Sequence, residues 1–272
     1  MTEHIERGSD HVQSLARGLA VIRAFDAAHP QLTLSEVARE TGLTRAAARR
    51  FLHTLVDLGY VRTDGRLFAL TPRVLELGYS YLSSLTLPEV AQPHLERLVA
   101  DVQESASVAV LDDTDVVYVA RVATSRIMRV TINIGTRFPA HATSMGRVLL
   151  AGLPKAELDE YLNRAELRKY TSHTITAPAS LRTELDRVRA QGWAYVDQEL
   201  EEGLRSIAAP IRNSAGHVVA AVNMSSHASR TSMDSARRDL LPALLATAAR
   251  IETDLVATSA VHNEPAAFPH AR

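Results

Sequence analysis

QLTLSEVARETGLTRAAARRFLHTLVDLGYVRTDGRLFALT, residues 31–71, is the stretch that decides how this chain reads. Thr33 stands three residues before Glu36, the spacing of a capping box, and opens a short helix through Thr41 that Gly42 ends. Ala38 is small where two helices cross closely, and Leu43 plugs the turn from the core side. Thr44 caps a second helix running to about Leu58, on which Ala48, Phe51, Leu52 and Leu55 share one face. Arg45, Ala46, Ala47, Arg49, Arg50 and His53 fall on the other face. That face is slim and carries guanidinium groups suited to phosphates and guanine edges in a major groove. Residues 60–63 and 66–70 are β-prone and are joined by Asp64-Gly65, the signature of a type I′ hairpin turn flanked by Arg62 and Arg66.

The segment is therefore predicted to be a winged helix-turn-helix over residues 12–70 that binds double-stranded DNA. Thr33, Ser35 and Thr44, the hydroxyl residues at the two helix starts, complete its expected contact set. Charge supports this, because residues 13–73 hold nine Arg against five Asp plus Glu while the whole chain carries −1. A positive island in an acidic protein is what phosphate binding requires, and it predicts salt-dependent affinity.

Outward from the wing, Thr71-Pro72 places a cap before a proline at the first helical position, opening a linker helix over residues 71–86. Its apolar residues could pack on the DNA module or on the same helix of a second subunit, and a recognition helix that alone buries little surface points to a homo-oligomer, a dimer or tetramer. Residues 87–257 form the second expected domain. An amphipathic helix after Pro88 leads into β-prone runs 107–111, 116–122 and 128–134, helices 145–153, 155–162 and 181–191 (the last capped by Ser180), and strands 193–197, 206–212 and 218–225. A long helix over 233–257 closes it. Strands in hairpins between helices give an α+β fold, not a parallel doubly wound sheet. Residues 258–272, small and polar with no periodicity, are expected to be disordered.

The chain's 272 residues contain no cysteine, so no disulfide framework or thiolate metal site is expected. Neither a secretory signal nor a membrane-length apolar run is present, and a cytoplasmic protein without membrane contact is expected. The eleven histidines show no zincin spacing, and neither a metal nor a cofactor is expected.

GTRFPAHATSMGRVLLA, residues 135–151, and DQELEEGLRSIAAPIRNSAGHVVAAVNMSS, residues 197–226, resemble the two sensor-domain signatures of the IclR family of bacterial transcriptional regulators. The run RIMRVTINIGTR, residues 126–137, further resembles the PcaR, PcaU and PobR branch, which controls protocatechuate, 4-hydroxybenzoate and β-ketoadipate breakdown. The resemblance covers residues 12–255 and implies a GAF-like effector domain, a small carboxylic-acid effector and no enzymatic activity. It also implies that Ser144 and Met145 offer backbone amides to the effector's carboxylate, and that Val196, Ser206, Asn223 and Ser225 line the same cavity. Val196 stands where some relatives carry a polar acid, which leaves the role of the neighbouring Asp197 open.

The residues agree with that site. HATSMGR brings small residues to a helix start, where unpaired N–H groups and the helix dipole favour an anion, and Gly146 is included for its amide. Asn223 and Ser225 share a strand face by alternation, Met128, Val130 and Ile132 make an apolar wall, and His141 lies close enough to hydrogen-bond an effector. The competing reading is a small-molecule hydrolase with an accessory winged helix, since residues 142–146 partly match a nucleophile elbow. The elbow's first glycine is missing.

Overall fold

The computed structural model describes residues 12–26, 28–77, 86–124 and 132–262. The chain divides into two compact units, Met1–Ser84 and Leu85–Arg272.

In the first unit α1 (Gln13–Arg23), α2 (Leu34–Thr41) and α3 (Arg45–Asp57) pack with a small antiparallel sheet of β1 (Leu32–Thr33), β2 (Val61–Thr63) and β3 (Leu67–Leu70), in the order β1-β3-β2. The capping box forms as expected: Glu36 N–H donates to Thr33 Oγ1 at 3.4 Å, and the Thr33 N–H donates to Glu36 Oε2 at 2.7 Å. Gly42 adopts φ 64°, the left-handed region that glycine tolerates, and turns the chain so that Leu43 N–H reaches Ala38 O at 3.0 Å. Val21, Val37, Ala48, Leu52, Leu55, Val61 and Phe68 form the core, which fixes the opposite face of α3 toward solvent.

The wing turn differs from the expectation. A type I′ turn needs positive φ at Asp64 and Gly65, but only Gly65 has it, at 96°. The Asp64 carboxylate accepts from the N–H groups of Arg66 (2.9 Å) and Leu67 (2.7 Å), holding Asp64 as the entry residue of a turn centred on Gly65-Arg66. The sheet also gains β1, which a reading of Thr33 as a helix cap did not foresee. After the wing, Thr71 caps the 3₁₀ turn Pro72–Val74, as the cap-then-proline order predicts. Residues 78–85 of the expected linker helix lie outside the described residues.

The second unit holds a six-stranded antiparallel sheet in the order β6-β5-β4-β9-β8-β7. Its strands are β4 (Ser105–Asp112), β5 (Asp115–Val122), β6 (Arg137–Pro139), β7 (Ala194–Asp197), β8 (Leu204–Arg212) and β9 (Val218–His227). One face, with Val108, Ile207, Ile211, Val222 and Met224, packs on α4 (Thr86–Val102) and on the C-terminal helix α8 (Leu241–His262). The other face is made of small residues, Ala109, Ala194, Ala208 and Ala221, and receives α5 (Ser144–Gly152), α6 (Lys155–Arg164) and α7 (Pro178–Gln191). Alanines on the sheet let α5 lie close against it, and every residue of α5 from Ser144 to Ala151 is buried. An α-helix buried all round is a core element, so its end points inward rather than to solvent.

Four expectations are corrected in this unit. Residues 132–134 are not strand, and the third strand is Arg137–Pro139; residues 128–131 of the expected run lie outside the described residues. The helix expected to be capped by Ser180 begins at Pro178, whose missing N–H costs nothing at a first position, with Ala177 as cap. The long C-terminal helix is interrupted at its start by a π-helical turn, Ala236–Leu240, just ahead of Pro242, which cannot donate to a preceding carbonyl. The tail expected to be disordered from residue 258 is helical as far as His262, and residues 263–272 lie outside the described residues.

Candidate functional site

On α3 the side chains of Arg45, Ala46, Arg49, Arg50 and His53 are exposed, as are Ser35, Arg62 and Arg66, whereas Ala47 is half-buried. None of these five arginines pairs with a carboxylate among the described residues, so their donors are available. Three members of the expected set have structural duties. Thr33 and Thr44 spend their hydroxyls on capping Glu36 and Ala47, and the His53 ring stands edge-on to Phe68 at 6.3 Å, joining α3 to the wing.

In the second unit Ser144, Val196, Ser206, Asn223 and Ser225 line one cavity, as anticipated. The sheet register explains it: Val196 pairs with Ser206, Ser206 with Ser225, and Asn223 lies one alternation further along β9, so all four side chains share the face under α5. Two buried polar atoms there have no hydrogen-bond partner, Ser144 Oγ and Asn223 Oδ1; the Asn223 amide nitrogen donates to Ser225 Oγ at 3.2 Å. Unsatisfied buried polar atoms are rare because each costs about 1–3 kcal/mol. Two of them facing one cavity is the pattern of a site shaped for a ligand.

The start of α5 supplies donors. Thr143 caps the helix, its hydroxyl accepting from Gly146 N–H at 3.1 Å, and Arg147 N–H bonds to Thr143 O at 3.0 Å. The amides of Ser144 and Met145, which have no acceptor within the helix, meet none among the described residues. Gly146 therefore does not contribute a free amide, contrary to expectation. The Met145 side chain is wholly buried in the core, so that residue acts through its backbone alone.

His141 is not in the cavity lining. Burial holds its pKa below the usual histidine range, and its Nε2 donates to Arg168 O at 3.0 Å. It is a neutral structural residue that ties two segments together. Asp197 is engaged by Arg205 (2.7 Å), which holds its carboxyl below the ordinary range and takes it out of the cavity's chemistry. Met128 and Val130 lie outside the described residues.

Several lining residues were not anticipated. Tyr118 and Phe138 meet edge-to-face at 5.6 Å and form an aromatic wall, and Leu200 in the loop between β7 and β8 and Leu204 at the start of β8 close the cavity. Burial pushes the Tyr118 phenol up to about 12, so it stays a protonated donor at neutral pH. The strand pattern of 115–122 could have marked Tyr118, but its cavity-facing direction depends on a bulge in the pairing next to Val108 and Ala109 that sequence does not display. Among the described lining residues none is a carboxylate, which suits an anionic guest. The space admits water centres over about 20 Å³, room for about one water, so a larger guest needs the walls to yield. Among the described residues Ser144 Oγ has no hydrogen-bond partner, whereas a hydrolase nucleophile is bonded to its base. Among the described residues no helix is long and apolar enough to cross a membrane, and no cluster of three metal-ligating side chains exists.

Comparison with known proteins agrees with both units. Residues 14–65 match the family model of the IclR helix-turn-helix domain, and residues 79–253 match that of the bacterial transcriptional regulator IclR C-terminal domain. The Pca regulon regulatory protein of Pseudomonas putida is 49% identical over 87% of this chain and 82% of its own length. A crystal structure of a candidate transcriptional regulator from Rhodococcus sp. RHA1 is 62% identical, with a TM-score of 0.83 over 92% of this chain and 100% of that one. An IclR homologue from Microbacterium hydrocarbonoxydans, solved in complex with 4-hydroxybenzoate, is 29% identical with a TM-score of 0.78, covering 89% of this chain and 98% of that one.

Proposed function

The chain belongs to the IclR family of bacterial transcriptional regulators, and from that premise we propose that it senses a small aromatic or β-ketoadipate-pathway carboxylic acid in the Ser144–Asn223 cavity and binds its operator as a homo-oligomer. It is a DNA-binding regulator, not an enzyme. The observation that carries the effector reading is the pair of partnerless buried atoms, Ser144 Oγ and Asn223 Oδ1, beside the unengaged amides of Ser144 and Met145. The carboxylate seats on those amides, where the helix dipole adds favourable charge. The ring or chain lies along Tyr118 and Phe138. The relatives' names support the ligand class, since one controls the Pca regulon and another holds 4-hydroxybenzoate.

Because the cavity is narrow, binding favours whichever arrangement of the Leu200–Leu204 segment leaves more room. A ligand regulates only through unequal affinity for two arrangements, and a coupling of about 1–3 kcal/mol is enough to change operator occupancy. A thermal-shift panel of protocatechuate, 4-hydroxybenzoate, β-ketoadipate and muconate tests the reading, since a ligand of the folded state raises its stability by mass action. At least one acid is expected to stabilise the protein. Ser144→Pro, which the helix tolerates at its first position but which deletes one donor, and Asn223→Leu should each weaken that acid about tenfold. Operator binding by the free protein should be unchanged in both. Unaltered acid affinity in both folded variants would place the effector elsewhere.

The DNA contacts are assigned to the exposed face of α3 and to the wing. Combined Ala replacement of Arg45, Arg49 and Arg50 should abolish specific operator retention in gel shifts, each base-contacting arginine contributing about 1–3 kcal/mol. Replacing Arg62 and Arg66 should weaken all sequences alike and flatten the salt dependence. The proposed dimer should protect two half-sites about one helical turn apart. Sedimentation as a monomer with operator bound would refute that assembly, and full binding by the triple variant would remove α3 from the groove.

A further inference from the structure

Arg121 is a half-buried cation on the cavity face of the sheet with no carboxylate partner among the described residues. Other arginines drawn into this unit have one: Arg147 pairs with Glu199, Arg205 with Asp197, and Arg212 with Glu252. Arg121 Nη1 instead donates to Ser107 Oγ at 3.1 Å, and Ser107 is itself 1% exposed. Burial pulls the Arg121 pKa down, the direction expected of a cation lacking a counter-ion. A guanidinium has five N–H donors, so most of its hydrogen-bonding capacity is unspent on the protein.

Its position gives this vacancy a direction. Arg121 pairs with Ser107 across β5 and β4, and Ser107 pairs with Asn223 across β4 and β9, so the three side chains form one row on the same face. At about 4.8 Å per strand, Asn223 lies roughly 10 Å from Arg121 in backbone terms, and the arginine head already reaches the intermediate strand. Tyr118, which lines the cavity, stands three residues before Arg121 on β5. The row thus runs from Asn223, whose partnerless oxygen faces the cavity, to Ser107 and Arg121, which are not among the described lining residues and continue the same sheet face beyond it, while the helix-start amides of α5 supply a second positive pole.

We propose that Arg121 is a specificity-determining residue that receives an oxygen at the end of the effector remote from its carboxylate. The proposal rests on the effector reading above. Its ligand class is an acid bearing a second acceptor group, either a hydroxyl or a second carboxylate, and binding draws the guanidinium from Ser107 toward the guest.

Calorimetry with benzoate, 4-hydroxybenzoate and terephthalate separates the cases, because the three share a ring and a carboxylate and differ only at the far end. The native protein should bind the latter two more tightly than benzoate. Arg121→Gln should weaken them about 10- to 100-fold, as loss of a charge-assisted hydrogen bond does, and leave benzoate within about twofold. The larger loss identifies which far-end group the site prefers. Arg121→Lys, which keeps the charge, should retain most of the preference for terephthalate, and thermal melting should show both variants folded. Equal weakening of all three acids would overturn the proposal and make Arg121 a structural residue. Native protein that binds none of them would instead defeat the effector reading itself, and this proposal with it.

Discussion

Gly146→Ala is expected to unfold or severely loosen the effector-binding unit while the winged helix keeps its structure. Gly146 is the third residue of α5 and has no unusual backbone angle, so conformational freedom is not the reason for glycine here. The reason is contact. A Cβ at this position would lie 2.0 Å from Ala140 O, 2.4 Å from Ala140 Cα and 2.5 Å from Ala140 C. All three are backbone atoms of a buried 3₁₀ turn, Ala140–Ala142, and no rotamer change relieves them. Overpacking usually costs about 1–3 kcal/mol, and a clash with backbone on both sides belongs at or beyond the top of that range. For a unit of this size that corresponds to a fall in Tm of roughly 6–12 °C or more. The same displacement would move the Ser144 and Met145 amides, so the effector-induced thermal shift should vanish as well. Gly42→Ala is the comparison, since nothing lies within 4 Å of its Cβ and its φ of 64° imposes only local strain on the DNA unit. A Gly146→Ala protein with native melting and native effector response would refute the close packing of α5 on Ala140.

The DNA-binding unit was more legible in the sequence than the effector cavity, and the reason is range. The capping box at Thr33 and Glu36, the left-handed Gly42 and the apolar stripe of α3 are all set by residues within four positions of one another. Local spacing determines them. The wing turn failed at the same scale because Asp64 can either occupy a central turn position or accept from the two residues after Gly65, and the second arrangement satisfies two N–H groups. In the effector unit, alternation placed Asn223 and Ser225 on a common face, and the start of α5 was visible in the run of small residues around Ser144. Tyr118, Phe138 and Leu200 were not visible, since they reach the cavity through a β5 bulge, a strand displaced to Arg137–Pro139 and a loop between β7 and β8. His141 misled for the opposite reason. It is adjacent in sequence to the helix start, but its ring is spent on Arg168 O.

Glu199→Gln should destabilise the effector unit by about 3 kcal/mol, measured by urea denaturation, because it strands a buried charge. Arg147 is 2% exposed, and its Nη2 lies 2.5 Å from Glu199 Oε2. Its other contacts are weaker or neutral: Glu184 at 3.6 Å and the His141 carbonyl at 3.2 Å. Glu199 is held in turn by Ile175 N–H at 3.1 Å and, through its own carbonyl, by Thr174 Oγ1 at 2.6 Å. Breaking one side of a buried pair typically costs about 3–5 kcal/mol, and the residual attraction of Glu184 brings the expectation to the lower end. Replacing both partners removes the charge altogether, so Arg147→Met combined with Glu199→Gln should cost less than the sum of the two single changes, with a coupling of at least about 1 kcal/mol. Additive effects would mean that the pair is not interacting. The pair also links the two walls of the cavity, since Arg147 lies one turn beyond Ser144 on α5 and Glu199 directly precedes Leu200. Effector affinity should therefore fall in both single variants even where the protein remains folded. In the double variant stability returns before affinity does, because removing both charges leaves no stranded cation but does not restore the bond that holds the Leu200 loop against the helix start.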